Sequence, residues 1–66
     1  MQVQVNGENM TVDDSINLND LLSVAGFAGK RIAVMVNDTI IRRDDRASVT
    51  LNEGDRIEII SMVGGG

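Results

Sequence analysis

The sequence of 66 residues has no cysteine, histidine, proline, tryptophan or tyrosine, and its one aromatic residue is Phe27. Without cysteine no disulfide can form, and without cysteine and histidine a structural zinc site is not expected. The longest apolar run, residues 32–36, is far shorter than the roughly 20 residues of a membrane-spanning helix. The N-terminus lacks the pattern of a signal peptide. We therefore expect a cytoplasmic protein that binds neither a metal nor a membrane.

Positive charge is also scarce, since six Lys and Arg residues face ten Asp and Glu residues, for a formal net charge of −4. Nucleic-acid-binding proteins present a basic face and stacking aromatic rings, so nucleic acid is not an expected partner. No His, Cys or Tyr is present to act as acid, base or nucleophile. We expect a chain that binds no cofactor and is not itself an enzyme.

The length predicts one domain, which would be a monomer when free. The first twelve residues predict a β-hairpin, because apolar and polar residues alternate on both sides of Asn6-Gly7, a strong two-residue turn signal. This turn pairs Val3 with Met10, and Met1 with Val12, so the apolar partners share one face.

A short helix is predicted next, because Leu18, Leu21, Leu22 and Ala25 recur at helical spacing. Asn17 is a suitable N-cap, and Gly26 is placed to end the helix. A helix this short is not stable alone in water, so it has to pack on the sheet.

The rest of the chain predicts β structure, with strands at 32–36, 39–41 and 56–63, and a polar connection at 42–46. Two hairpins around one helix indicate an α+β fold, in which a mixed sheet of four to five strands has the helix packed across one face. The domain would span residues 1–63, followed by the tail 64–66.

The C-terminal end is the most informative feature, because the last strand runs directly into Gly64-Gly65-Gly66. Three glycines form a strip without side chains, at most ~10 Å long, that can pass through a narrow channel. The carboxylate at its tip is ionised at neutral pH. Activation by ATP would give an acyl-adenylate that a sulfur or nitrogen nucleophile can open.

Three segments together resemble the ThiS family of sulfur carriers in thiamine biosynthesis: residues 34–42 (VMVNDTIIR), 51–59 (LNEGDRIEI) and 62–66 (MVGGG). The resemblance covers the whole chain and implies a ubiquitin-like β-grasp fold. It also implies that Gly66 is adenylated and converted to a thiocarboxylate, while Gly65 and Gly64 give access. The implied partners are a ThiF-type adenylating enzyme that uses ATP and Mg²⁺, a cysteine desulfurase that supplies sulfur, and a thiazole synthase of the ThiG type.

Other functions fit the same tail. The small subunit of molybdopterin synthase is a related sulfur carrier, and a ubiquitin-like modifier would join Gly66 to lysines. A plain interaction domain would use the glycine end for no chemistry. Since one fold hosts all of these roles, fold alone does not decide between them.

Two surfaces are candidate docking sites for the activating enzyme. Ile60 and Met62 alternate with core-type residues on the last strand, so they either lie under loops or form an exposed patch. Arg42 and Arg43 belong to a basic cluster, completed by Arg46, that would contact an acidic surface. The plainer interpretation is that these arginines pair with the neighbouring residues 44 and 45, both aspartates.

Overall fold

The computed structural model describes residues 1–62, and the tail residues Gly64, Gly65 and Gly66 lie outside this range. The predicted boundary between a domain of residues 1–63 and a tail of 64–66 therefore stays a prediction. The elements follow one another as β1 (Gln2–Val5), β2 (Glu8–Thr11), α1 (Leu18–Val24), β3 (Ile32–Val36), β4 (Thr39–Ile41), a 3₁₀ helix (Arg43–Ser48) and β5 (Arg56–Ser61).

The five strands found in residues 1–62 form one mixed sheet in the order β2-β1-β5-β3-β4. Strands β1 and β5 are parallel, whereas the other neighbouring strands are antiparallel. This arrangement is a ubiquitin-like β-grasp with one α-helix, so the predicted fold class is confirmed. The last strand, β5, occupies the centre of the sheet.

The first hairpin has the predicted register, with Val3 opposite Met10. Asn6 and Gly7 both have positive φ, at 51° and 85°, as a two-residue turn of this kind requires. Backbone hydrogen bonds also join Met1 and Val12 in both directions. The alternation in the sequence therefore determined which face of the hairpin is buried.

Helix α1 begins and ends where its sequence signals predict. The Asn17 side chain accepts a hydrogen bond from the backbone N–H of Asp20 at 2.7 Å, which caps the first turn. At the other end Gly26 has φ +89°, and the N–H of Phe27 donates to the carbonyl of Leu22 at 2.8 Å. That bond is the signature of a glycine-terminated helix.

The core lies between α1 and one face of the sheet, where apolar side chains from every layer meet. Leu18 and Leu21 are fully buried, and no polar or charged residue among residues 1–62 is buried. The buried residues are Val3, Val12, Leu18, Leu21, Leu22, Ile32, Val34, Leu51, Ile57 and Ile59.

Two segments differ from the sequence prediction. The predicted polar connection at 42–46 folds as the 3₁₀ helix, because short-range bonds such as Asp45 N–H to the Arg42 carbonyl (2.9 Å) satisfy its backbone. The predicted strand 56–63 ends at Ser61 within the described residues. Met62 nevertheless still donates its N–H to the Arg31 carbonyl at 2.9 Å, and Val63 lies outside the described residues.

Candidate functional site

The glycine tail follows β5, the central strand of the sheet. Strand β5 pairs with β1 through residues 56–57 and with β3 through residues 57–61. The bond from Met62 N–H to the Arg31 carbonyl continues this pairing by one residue. Met62, the last described residue before the tail, is therefore held from the β3 side of β5, whereas β1 pairs only with the first residues of that strand.

The two faces of β5 have opposite environments. Ile57 and Ile59 are buried against α1, with 1% and 7% of their surface exposed. Ile60 and Met62 are each 56% exposed. Of the two possibilities for these predicted docking residues, the exposed patch is the one observed, since no loop covers them among the described residues. Their role in docking stays a prediction.

Ile60 and Met62 are part of a larger apolar stripe on the open face of the sheet. Ala33 lies opposite Ile60, and Met35 lies opposite Ile40, which is 72% exposed. Ala33 and Met35 are two residues apart on β3 and therefore face the same side. We call Ile40, Met35, Ala33, Ile60 and Met62 the apolar stripe. It runs from the β4 edge to the last described residue.

A cleft of about 520 Å³ opens beside Met62. Four of the six cationic residues of the chain lie along it, and we call it the basic cleft. Arg46 donates from Nη2 to the Ile32 carbonyl at 2.9 Å, which fixes the 3₁₀ helix against β3. The residues around the basic cleft are Gly29, Lys30, Arg31, Ile32, Arg43, Arg46 and Met62.

The two predicted docking arginines lie at different places on the surface. Arg43 lies at the basic cleft with Met62, whereas Arg42 is exposed outside it. Lys30 and Arg31 were missed by the sequence analysis, because they lie more than ten positions before the arginine cluster. The signal that could have found them is the scarcity of cations in an acidic chain, which makes each cluster noteworthy.

The predicted pairing of these arginines with Asp44 and Asp45 is wrong. Within residues 1–62 the ion pairs join the Met1 amine to Asp14 at 3.1 Å and Arg56 to Asp38 at 2.9 Å. Arg46 uses its guanidinium on a backbone carbonyl instead. Within the described residues, none of the four cations of the basic cleft therefore forms an ion pair with a carboxylate.

Over residues 1–62 no group of three or more His, Cys, Asp or Glu side chains is arranged to hold a metal ion. No helix in that part of the chain is both long enough and apolar enough to span a bilayer.

Comparison with known proteins gives a consistent result. The model of the ThiS family matches residues 3–66. An uncharacterised protein, ycf40, of Porphyra purpurea is 35% identical over the whole chain, which covers 93% of that protein. The thiazole synthase of Magnetococcus marinus is also 35% identical over the whole chain, but there the match covers only 20% of the protein.

Among solved structures, the crystal structure of the thiamine biosynthesis protein ThiS from Geobacter metallireducens is similar along its entire length. The two chains superpose with a TM-score of 0.85 at 33% identity, and each is fully covered. A solution structure of a thiamine biosynthesis protein from the same organism gives a TM-score of 0.79.

Proposed function

Since the chain belongs to the ThiS family, the small sulfur carriers of thiamine biosynthesis, we propose that it carries sulfur as a thiocarboxylate on Gly66. The observation that supports this assignment is the extent of the family match, which runs from residue 3 through the last glycine. A carrier of this kind is a co-substrate of other enzymes and performs no catalysis of its own.

The proposed chemistry begins with activation of the carboxylate. An oxygen of the Gly66 carboxylate attacks the α-phosphorus of ATP, and pyrophosphate leaves with its bonding electrons. The resulting glycyl-adenylate has a good leaving group on an acyl carbon that no side chain crowds. ATP and Mg²⁺ belong to the adenylating enzyme, of the ThiF type, in this proposal.

Sulfur enters in the second step. The terminal sulfur of a protein persulfide, charged by a cysteine desulfurase, attacks the acyl carbon and displaces AMP. A thiol then attacks the cysteine-derived sulfur of this acyl disulfide. A new disulfide forms between the thiol and that cysteine, and the thiocarboxylate of Gly66 is released. Because the chain has no cysteine, none of its own side chains can capture the activated glycine as a thioester.

The proposed acceptor is a thiazole synthase of the ThiG type. The thiazole synthase of Magnetococcus marinus supports this proposal, since a segment similar to the whole of this chain makes up a fifth of that protein. The thiazole synthase of Paramagnetospirillum magneticum shows the same relation at 33% identity. A carrier segment joined to an enzyme in one polypeptide is expected to deliver its sulfur to that enzyme.

The apolar stripe is the proposed docking surface for the adenylating enzyme. A continuous apolar stripe in which Ile40, Ile60 and Met62 are more than half exposed is typical of a protein–protein contact in so small a domain. Met62 has a flexible and polarisable side chain, which suits a surface that meets more than one enzyme in turn. Arg42, exposed outside the basic cleft, is a further proposed contact at the rim.

Genetic complementation tests the proposed pathway. Expression of the chain in a bacterium that lacks its own ThiS should restore growth without thiamine, whereas a strain that lacks the small subunit of molybdopterin synthase should not be rescued. A variant without Gly65 and Gly66 is the matched control and should rescue neither strain. Rescue of the molybdopterin strain alone, or appearance of the chain conjugated to lysines, would support the alternative carriers instead.

A further inference from the structure

The short reach of the tail limits where its enzyme can bind. Residues 63–66 extend at most about 14 Å, because an extended residue spans ~3.3–3.6 Å. An active site that holds the carboxylate of Gly66 must therefore lie within this distance of Met62. The body of the enzyme then has to cover the surface around Met62, which the apolar stripe borders on one side and the basic cleft on another.

The basic cleft differs sharply in charge from the rest of the molecule. The chain as a whole has a net charge of −4, yet Lys30, Arg31, Arg43 and Arg46 meet at this one place. Within the described residues none of the four is joined to a carboxylate in an ion pair. Cations gathered in this way favour a negatively charged group from outside the chain.

The wall of the basic cleft is anchored to the fold. The hydrogen bond from Arg46 to the Ile32 carbonyl ties the 3₁₀ helix to β3, and the bond from Met62 to Arg31 ties β5 to the same region. Lys30 and Arg43 are exposed, and neither side chain makes a hydrogen bond within residues 1–62. Their charges are therefore available to a partner on a preformed surface.

We propose that the basic cleft receives a carboxylate-bearing segment of the enzyme that adenylates Gly66. This inference rests on the proposed function and adds the partner chemistry that recognises the carrier. A protein segment fits better than a nucleic acid, because the many carboxylates elsewhere on the chain repel an extended polyanion. Apolar contact along the stripe and ion pairs at the cleft would together orient Met62 toward the active site.

Binding measurements with single-charge variants test this proposal. The variants Lys30→Gln, Arg43→Gln and their combination are compared with Arg56→Gln, which removes the same charge at the far end of β5. A ThiF-type enzyme from the same organism is the partner, and ATP is left out so that no nucleotide phosphate is present. Each neutralised charge in the cleft should weaken the affinity about two- to fivefold. The double variant should also show a smaller salt dependence.

The outcomes separate this proposal from the function on which it rests. If the double variant binds like Arg56→Gln while the wild-type chain still acquires sulfur, the basic cleft is not a recognition site and the carrier function stands. A cleft effect that appears only with ATP would overturn the carboxylate as its occupant. Cleft-dependent binding without any sulfur loading of the wild-type chain would instead overturn the proposed function.

Discussion

At the scale of single residues, the alternation along β5 places one isoleucine in the core and the next one at the surface. Ile59 is 7% exposed and packs in the core, whereas its neighbour Ile60 is 56% exposed in the apolar stripe. Two residues of the same type, adjacent in sequence, therefore lie in opposite environments.

Replacement of each residue by aspartate should make this difference measurable. In Ile59→Asp a carboxylate has to be buried. The free energy of burying it should exceed the ~3–10 kcal/mol free energy of unfolding of a domain this size, so this variant should not fold. Ile60→Asp should stay within ~0.5 kcal/mol of the wild-type stability while it weakens binding to the adenylating enzyme. Circular dichroism and binding measurements check the pair. An unfolded Ile60→Asp chain would show that this residue is needed for the core.

The turn residue Asn6 has a second role beyond its backbone conformation. Its Oδ1 accepts the backbone N–H of Ile59 at 2.7 Å, at a point where the pairing of β1 with β5 has already ended at residue 57. Asn37, in the other hairpin turn, accepts the N–H of Arg56 in the same way. The side chains of two turns thus complete the hydrogen bonding of the central strand.

Substitutions at Asn6 should separate these two roles. Asn6→Gly keeps the positive φ but leaves the Ile59 N–H without its acceptor, which should cost about 1–2 kcal/mol. Asn6→Asp keeps both features and should remain within ~0.5 kcal/mol of the wild type. Urea denaturation gives both values. Equal stability of the glycine variant and the wild type would show that the side-chain bond contributes nothing.

At the scale of elements, α1 depends on its cap because it is only seven residues long. Asn17→Ala removes the acceptor for the Asp20 N–H and should cost about 1 kcal/mol, which lowers the melting temperature by roughly 4–8 °C in a domain of this size. Asn19→Ala, an exposed change in the same helix, is the control and should not lower it. Calorimetry on the two variants checks this, and similar losses at both positions would contradict a specific cap.

Elements with strong local signals could be predicted from the sequence. Asn6-Gly7 determined the first hairpin, and the leucine spacing together with Asn17 and Gly26 determined the helix. The 3₁₀ helix was missed, because short-range backbone bonds leave no periodic pattern in a segment as polar as 42–46. The ion pairs expected there do not form within the described residues. Arg46 instead binds a carbonyl on β3 that is distant in sequence.

At the scale of the whole molecule, local patterns could not predict the strand order. The parallel pairing of β1 with β5 joins residues about fifty positions apart, and only the family resemblance implied it before the structure. Local patterns could not predict the basic cleft either, because three separate segments of the chain meet there. The sequence did identify the glycine end, which needs no tertiary context to be noticed.

Deletion of Gly65 and Gly66 should separate folding from function in the whole molecule. Within residues 1–62 every buried core residue lies between Val3 and Ile59, so the melting temperature should not change measurably. Sulfur loading should be lost completely, because the terminal carboxylate would then belong to Gly64 and fall short of the active site. Thermal denaturation and a loading assay check the two halves of this prediction. A truncated chain that still acquires sulfur would contradict the role of Gly66.

Intact-mass spectrometry shows directly whether Gly66 acquires sulfur. The chain is incubated with ATP, Mg²⁺, a ThiF-type enzyme and a persulfide donor, then fragmented to locate any modification. We expect a mass gain equal to the replacement of one oxygen by sulfur, confined to Gly66 and absent without ATP. An unmodified Gly66, in the presence of an enzyme that adenylates an established ThiS protein under the same conditions, would contradict it.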